Sequence, residues 1–249
     1  MLRAYGDGNL FGEPYGEGPV RVVFLHGWAR RGQDFAACAS ALAAQGVASL
    51  ALDLPGFGSS PAPMVAGGRR HYAELVTPAL QELGEEPLVL VGHSFGGAVA
   101  TVIAANHPEL VRALVLTGVP LVSVSSPARA PWRYRLIRSL NAKGMVSEQR
   151  MEAARQRYGS TDYRNASGVM RDVLVASVNE TYEEEVKSQS VPVTLLWGEL
   201  DDVTPVAVAS RTIELLSTPH QLRLLPGIGH LVPTQAPEEL AATVLETLS

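Results

Sequence analysis

Residues 87–97 read Pro-Leu-Val-Leu-Val-Gly-His-Ser-Phe-Gly-Gly and run directly into the apolar stretch 98–105. A short apolar run, a cluster of glycines and a long apolar segment predict a buried strand, a tight turn and a helix. The turn matches the pattern Gly-x-Ser-x-Gly, in which a serine occupies a sharp position that only small neighbours permit, here Gly92 and Gly96. Such a turn lifts the hydroxyl of Ser94 above the sheet edge, beside the first N–H groups of the helix. Ser94 is therefore the candidate nucleophile.

The rest of the chain alternates in the same way between short apolar runs and longer helical patterns, which is typical of a parallel sheet with crossover helices. The predicted strands are 20–25, 47–52, 87–91, 111–117, 192–197 and 221–225. The predicted helices are 34–44, 72–83, 95–106, 206–216 and 237–248. We therefore expect an α/β fold with a mostly parallel central sheet and helices on both faces.

Residues 120–190 break this alternation, because they show no convincing strand and are far longer than one crossover needs. Apolar spacing and capping residues predict four helices here. The first helix is indicated by the apolar spacing of Trp132, Leu136 and Leu140, and the second, 148–158, lies between a cap at Ser147 and a stop at Gly159. The third has its apolar positions within 169–178 and is capped by Ser160 or Thr161, and a shorter fourth helix starts at Thr181. We predict a core formed by residues 1–119 and 191–249, with residues 120–190 inserted as a helical cap.

The composition indicates a folded globular protein, since 46% of the 249 residues are hydrophobic and 18% are charged. A net charge of −5 gives no basic excess, so we expect no nucleic-acid partner. The N-terminal residues lack a signal-peptide pattern and the longest apolar run is too short to cross a bilayer, so we expect a cytoplasmic protein without a membrane partner. The single cysteine, Cys38, excludes an intrachain disulfide and a cysteine-based metal cluster.

A serine nucleophile needs a base that takes its proton and an acid that orients the base. Four histidines lie in positions typical of turn, capping or surface residues: His71, His93, His107 and His220. His230 instead lies in the loop Gly-Ile-Gly-His-Leu after the last predicted strand, at the edge where open α/β sheets place their sites. His230 is the candidate base.

The acid must come from another strand end, and the segment Trp197-Gly-Glu-Leu-Asp-Asp-Val lies between a predicted strand and a predicted helix. Asp201 and Asp202 are adjacent, so only one of them can face His230. The other then serves as a helix N-terminal charge or as a solvated side chain.

With these residues in place, the chain resembles the α/β-hydrolase superfamily over nearly its whole length. The order serine, aspartate, histidine along the chain is that of the superfamily and differs from chymotrypsin-like and subtilisin-like proteins. Three further motifs match: His26-Gly27-Trp28, Asp53-Leu-Pro-Gly-Phe-Gly-Ser59 and Gly198-Glu-Leu-Asp-Asp202. The resemblance implies that Asp201, four residues after Trp197, is the acid, with Asp202 the less favoured candidate.

The same resemblance implies an oxyanion hole formed by the backbone N–H groups of Trp28 and Phe95, with structural roles for His26 and Asp53. It implies two-step acyl transfer at Ser94 without a metal or an organic cofactor. Haloalkane dehalogenases and soluble epoxide hydrolases are set aside, since they carry Asp at the nucleophile position. Relatives with the acid one strand earlier are also set aside, because Thr117-Gly-Val-Pro120 contains no carboxylate.

Within the superfamily, the chain is similar to bacterial pimeloyl-acyl-carrier-protein methyl ester carboxylesterases in its length, in two of these motifs and in its basic cap. His93 departs from that family, in which Trp often precedes the serine. Cap arginines of that family contact an acidic carrier protein. The resemblance therefore implies a small-molecule carboxylic ester as substrate, in its specific form a methyl ester on an acyl carrier protein, with that carrier as partner.

The predicted cap is the basic part of the chain, with 11 Lys and Arg against 8 Asp and Glu, whereas the remainder carries a net −8. Two interpretations of its arginines stay open. They are solvated faces of amphipathic helices, or some of them form a patch that binds an acidic macromolecule or an anionic substrate. The arginines concerned are Arg133, Arg135, Arg138, Arg150, Arg155, Arg157, Arg164 and Arg171.

Two other functions are compatible with the same residues. Hydrolysis of a carbon–carbon bond in a ring-cleavage product uses the same triad. A non-hydrolytic ligand sensor would keep the triad and detect a small molecule through closure of the cap. Turnover of activated esters, compared with turnover of dienoate substrates, distinguishes these functions from a carboxylesterase.

Overall fold

A computed structural model describes residues 1–124, 137, 139–141, 144–158 and 160–249 of the chain. Within these residues the strands are β1 (Arg3–Tyr5), β2 (Leu10–Tyr15), β3 (Val22–Leu25), β4 (Ser49–Asp53), β5 (Leu88–His93), β6 (Val111–Thr117), β7 (Val193–Gly198) and β8 (His220–Leu225). They form one sheet in the order β1-β2-β4-β3-β5-β6-β7-β8. The pairs β1–β2 and β2–β4 are antiparallel and all the others are parallel. The predicted mostly parallel sheet is confirmed.

The helices lie between these strands in the expected alternation. In chain order they are α1 (Ala36–Ala44), α2 (Arg69–Gln81), α3 (Phe95–Asn106), α4 (Glu148–Tyr158), α5 (Thr161–Asn165), α6 (Gly168–Val178), α7 (Glu183–Lys187), α8 (Val206–Leu215), α9 (Val232–Gln235) and α10 (Pro237–Leu248). Short 3-10 turns precede α1 at Gly32–Phe35 and follow α3 at Pro108–Leu110. In the described ranges, no helix combines the length and apolar character that a bilayer crossing needs.

Helices cover both faces of the sheet, which is why the central strands are buried along their whole length and largely apolar. All residues of β3, β4 and β5 are buried. Successive residues of a strand belong to opposite faces: Val23 and Leu25 pack in the cluster that includes α2 and α3, whereas Val22 and Phe24 pack in the cluster that includes α1 and α10. The carboxyl ends of the parallel strands therefore emerge at one edge of a rigid, two-sided core.

The six predicted strands all exist, with ends within two residues of the predicted ones. The N-terminal strands β1 and β2 were not predicted. β2 contains Gly12 and Pro14, which are poor strand formers, and β1 is largely exposed, so neither shows a clear apolar pattern. Gly12 lies so close to β4 that a Cβ would stand 2.9 Å from side-chain atoms of Leu50 and Leu52.

Between β6 and β7 the described residues hold α4 to α7, where helices were predicted. Ser147 caps α4 by accepting a hydrogen bond from the N–H of Arg150 at 3.4 Å. The single helix predicted after Ser160 is in fact two: Ser160 caps the short α5, and α6 begins separately at Gly168. The predictions for Trp132, Leu136 and Gly159 lie outside the described residues.

Several contacts fix this helical segment on the rest of the molecule. At the start of α2, Arg69 donates from Nη1 to the carbonyl oxygen of Ser177 at 2.8 Å. Next to it, Arg70 forms an ion pair with Glu185. The side chain of Met170 on α6 lies against the backbone of residue 56, where a Cβ would collide with its sulfur. The helices α6 and α7 are thereby held against the start of α2 and the turn after β4.

Candidate active site

Ser94 occupies a strained turn between β5 and α3. Its φ of 49° and ψ of −112° lie in a region that costs a non-glycine residue roughly 1–3 kcal/mol. Two backbone hydrogen bonds hold the turn, from Ser94 N–H to the Thr117 carbonyl at 2.9 Å and from Gly96 N–H to the His26 carbonyl at 3.0 Å. An observed outlier of this kind, fixed by its neighbours, points to a functional position.

The glycines around the serine are required by close approach of backbone to backbone. A Cβ on Gly92 would collide with the Cα of Gly97, and a Cβ on Gly96 would collide with the carbonyl oxygen of Leu25. The helix can therefore start directly against the end of β3 only because these positions carry no side chain. The flanking glycines have the role that the sequence pattern predicted for them.

Asp201 follows β7 and is held as a buried carboxylate. Its Oδ1 accepts hydrogen bonds from the N–H groups of Val203 at 3.0 Å and Thr204 at 2.7 Å. Its Oδ2 lies 2.8 Å from Nδ1 of His230, and the Asp201 side chain is only 1% exposed. Asp202 is exposed to solvent. Of the two adjacent candidates, the structure brings Asp201 to the histidine.

His230 lies in the loop after β8, with its side chain 13% exposed. Since Nδ1 donates to the Asp201 carboxylate, Nε2 is the ring nitrogen that is left to accept a proton. The ring rests against the backbone of residue 118: a Cβ on Gly118 would stand 2.8 Å from Cε1 and 2.9 Å from Nδ1. Because Gly118 has no side chain, it makes room after β6 for His230 and Asp201.

Two further histidines border the site as buried, neutral rings. Burial lowers the pKa of His26 to about 4. Its Nδ1 donates to the Gly27 carbonyl at 2.7 Å, and its Nε2 accepts from the Leu54 N–H at 2.9 Å. Burial, followed by the neighbouring His230, lowers the pKa of His93 to about 3. The structural role implied for His26 matches these bonds, because they join the loop after β3 to the loop after β4.

Asp53 also has the structural role that was implied for it. Its two carboxylate oxygens accept hydrogen bonds from the N–H groups of Gly32 and Ser59, both at 2.8 Å. A Cβ on Gly58 would collide with the carboxylate. Asp53 therefore ties the turn after β4 to the 3-10 turn that precedes α1.

The two residues implied for the oxyanion hole lie side by side. The ring centroids of Trp28 and Phe95 are 5.5 Å apart, and Phe57 packs edge-on against Trp28 at 5.0 Å. The cleft beside Trp28 has a volume of about 250 Å³. Its walls are Trp28, Ala29, Gly56 and Phe57 on one side and Asp162, Asn165, Ala166, Ser167 and Met170 of the helical segment on the other. Two of its wall residues, Trp28 and Phe57, also pack against Phe95.

The arginines of the helical segment differ in their surroundings. Arg155 pairs with Glu148 and Glu152, and Arg171 lies 2.8 Å from Glu152. The side chain of Arg150 is exposed. Arg157 and Arg164 have interactions of their own. The remaining arginines of the predicted patch lie outside the described residues: Arg133, Arg135 and Arg138.

Sequence reasoning missed the contribution of the segment after β6. Thr117 accepts hydrogen bonds at its carbonyl from both Ser94 and His93, and Gly118 has a φ of 61°. The available signal was a glycine directly after a buried strand, which often marks a close approach of another group.

Comparisons with known proteins agree with this geometry. Residues 20–143 match the family model described as alpha/beta hydrolase fold. A pimeloyl-[acyl-carrier protein] methyl ester esterase of Chromobacterium violaceum is 31% identical over 225 residues, which cover 84% of this chain and 86% of the relative. Lipase LipV of Mycobacterium tuberculosis is 29% identical, with 96% and 98% covered. Among solved structures, the thioesterase domain from the curacin biosynthetic pathway superimposes with a TM-score of 0.73 at 24% identity, covering 99% and 98%.

Proposed function

Because the chain belongs to the alpha/beta hydrolase family, we propose that it cleaves a carboxylic ester by a Ser94-His230-Asp201 acyl-enzyme mechanism. It is an esterase-type hydrolase, as are its esterase and lipase relatives. One observation supports the mechanism above all others: the buried carboxylate of Asp201 contacts Nδ1 of His230 at the same sheet edge as the strained Ser94.

In the first half of the reaction, Nε2 of His230 takes the proton of Ser94 as the hydroxyl oxygen attacks the ester carbonyl. The carboxylate of Asp201 holds the ring in the correct tautomer and stabilises the imidazolium. The backbone N–H groups of Trp28 and Phe95 donate to the oxyanion of the tetrahedral intermediate. His230 then gives its proton to the leaving alcohol.

In the second half, a water molecule takes the place of the alcohol. His230 removes a proton from this water, which attacks the acyl-enzyme carbonyl, and Ser94 leaves with the proton from the imidazolium. The acid product and the free enzyme result. These steps use side chains and backbone groups of the chain alone.

We further propose that the natural substrate is a methyl ester carried on an acyl carrier protein. Support comes from the relatives that bear this activity in their names. The cleft beside Trp28 is lined in part by the polar residues Asp162 and Asn165 of the helical segment, which offer hydrogen-bond partners to a polar substrate. The exposed Arg150 lies on α4 of the same helical segment.

The test is a comparison of substrates on one enzyme preparation. We expect a higher kcat/KM for a carrier-linked methyl ester than for the same methyl ester without the carrier and for p-nitrophenyl esters of increasing chain length, and no turnover of dienoate ring-cleavage products. Equal rates on the carrier-linked and free methyl esters would contradict the carrier proposal. If the enzyme hydrolyses none of these esters, the result would contradict the esterase mechanism and favour the ligand sensor.

A further inference from the structure

His93 lies directly before Ser94 at the end of β5 and is 2% exposed. Its Nδ1 lies 3.1 Å from the carbonyl oxygen of Thr117. A carbonyl can only accept, so Nδ1 carries the proton and donates it, and Nε2 keeps a free lone pair. The ring is thus held in one orientation and one tautomer by a backbone group that also accepts from the N–H of Ser94.

This fixed ring touches two parts of the proposed machinery. Its centroid is 4.8 Å from that of His230, with the ring planes inclined by 54°. The loop that carries Trp28 also approaches it: a Cβ on Gly27 would stand 2.9 Å from Cδ2 of His93 and 3.5 Å from Cβ of Ser94. The same side chain is therefore in contact with the ring of the proposed base and with the loop of the proposed oxyanion hole.

The ring of His93 stays uncharged while its neighbour changes charge. Burial and the nearby His230 lower the pKa of His93 to about 3, and Asp201 and Arg30 are the other charged groups that act on it. When His230 becomes an imidazolium, it therefore faces a neutral aromatic ring on one side and the carboxylate of Asp201 at Nδ1. A charged His93 would repel this imidazolium, so the uncharged state of His93 avoids like-charge repulsion beside His230.

We propose that His93 is a positioning residue for the reaction, whose neutral ring holds the imidazole of His230 and the Gly27 loop around Ser94 and adds no like charge beside the imidazolium that forms during acyl transfer. This inference rests on the proposed function. His93 exchanges no proton with the substrate and acts only through its neighbours. Its effect should therefore fall on kcat and leave substrate binding unchanged.

Two variants separate the ring from its hydrogen bond. His93→Phe keeps an aromatic ring but loses the donor to Thr117, whereas His93→Leu loses both. With p-nitrophenyl acetate, we expect kcat of His93→Leu to fall about tenfold with KM within twofold, and His93→Phe to recover most of the loss. Val89→Ala on the same strand is the matched control, because it removes buried methyl groups from the core away from the site. It should lower Tm and leave kcat unchanged.

Wild-type kcat in His93→Leu, or equal losses in the Leu and Phe variants, would overturn the proposal. A second measurement needs no stable variant: ¹⁵N-imidazole NMR of the wild-type protein should show the His93 ring neutral, with its proton on Nδ1, down to pH 5. A cationic His93 ring at that pH, or a proton on Nε2, would also overturn it. Absence of esterase activity in the wild-type protein would instead count against the proposed function, and the NMR result would still decide the state of His93.

Discussion

Nδ1 of His230 lies 2.8 Å from Oδ2 of Asp201, whereas the neighbouring carboxylate of Asp202 faces solvent. Two adjacent aspartates thus have different environments. The first has its Oδ1 satisfied by two backbone N–H groups and its Oδ2 reserved for the histidine. The pair leaves Nε2 of His230 as the basic nitrogen in the proposed mechanism, because the opposite ring nitrogen is already engaged.

Substitution at these two positions should therefore have unequal effects. Asp201→Asn leaves the side chain in place but allows the wrong tautomer of His230, so kcat should fall by on the order of 10³–10⁴. Asp202→Asn serves as the matched control and should stay within about threefold of wild type. Steady-state kinetics with p-nitrophenyl acetate measure both. A larger loss of kcat in Asp202→Asn than in Asp201→Asn would mean that Asp202, and not Asp201, is the acid.

Gly118 is predicted to be intolerant of even one added methyl group. Its φ is 61°, and a Cβ would stand 2.8 Å from Cε1 of His230. Gly118→Ala should push the ring away from Ser94 and lower kcat by on the order of 10²-fold, as expected for a misplacement of about 1 Å.

The control for this variant is Gly46→Ala. Gly46 has a similar φ of 75°, but a Cβ there would meet open space. It should therefore lose stability through the same backbone strain while keeping wild-type kcat. Equal kcat losses in the two alanine variants would mean that backbone strain, and not crowding of His230, explains the effect.

The sequence was sufficient for those parts of the fold that depend on apolar pattern. Strands β3 to β7 consist largely of buried apolar residues, and β8 still carries the apolar residues Leu222, Leu224 and Leu225 although it is less buried. Ser94 and its glycines form a local motif, so these strands and the turn were predicted. β2 was missed because Gly12 and Pro14 obscure a strand that is recognised only through its pairing with β4. The division of the helix after Ser160 was also missed, because apolar spacing does not show where a short helix ends.

The site was predictable only as far as single motifs reach. Asp201 and Asp202 follow the same predicted strand, so their positions alone do not show which of them contacts His230. Only the resemblance to α/β-hydrolases favoured Asp201. The contact of Gly118 with His230 joins residues more than a hundred positions apart, and it depends on the arrangement of β6 and β8 in the sheet. The proximity of His93 to His230 is of the same kind. No local pattern carries such information.

Stability should fall as the pH drops below about 6.5. His26 and His93 have pKa values of about 4 and 3 in the folded protein, against about 6.5 in the unfolded chain. Between these limits the unfolded state binds more protons, so acid favours unfolding, by roughly 2 kcal/mol for each ring at pH 4.5. Tm measured from pH 7 to pH 4.5 should show this decline.

A variant can assign part of that decline to one ring. His26→Asn removes a buried titrating group, so the drop in Tm between pH 7 and pH 4.5 should be smaller than in wild type even though the variant starts less stable. His220→Gln, at an exposed histidine, should show the wild-type drop. An identical pH dependence in His26→Asn would mean that other groups control acid unfolding.

The carrier proposal predicts that docking depends on exposed arginines of the helical segment between β6 and β7 more than on paired ones. Arg150→Glu should lower kcat/KM for a carrier-linked ester about three- to tenfold at low salt, with the effect fading as salt rises. Hydrolysis of p-nitrophenyl acetate should not change. Arg155 is already paired with Glu148 and Glu152, so Arg155→Gln should have the smaller effect on the carrier-linked ester.

Arg21→Glu is the control for charge alone, since this exposed arginine lies before β3, at the opposite edge of the sheet. It should leave both substrates unaffected. If Arg150→Glu lowers kcat/KM equally for the carrier-linked ester and p-nitrophenyl acetate, or for neither, Arg150 is a solvated residue of a helix face with no role in docking.

The central claim is that Ser94 is the nucleophile, and covalent labelling tests it most directly. A fluorophosphonate reacts with an activated serine and stays attached, so intact-mass and peptide spectrometry of the treated protein should find one adduct, on Ser94. The variant Ser94→Ala should take up no label and lose ester hydrolysis, while circular dichroism confirms that it is folded. An adduct on another residue of the wild-type protein, or labelling that persists in folded Ser94→Ala, would contradict the account.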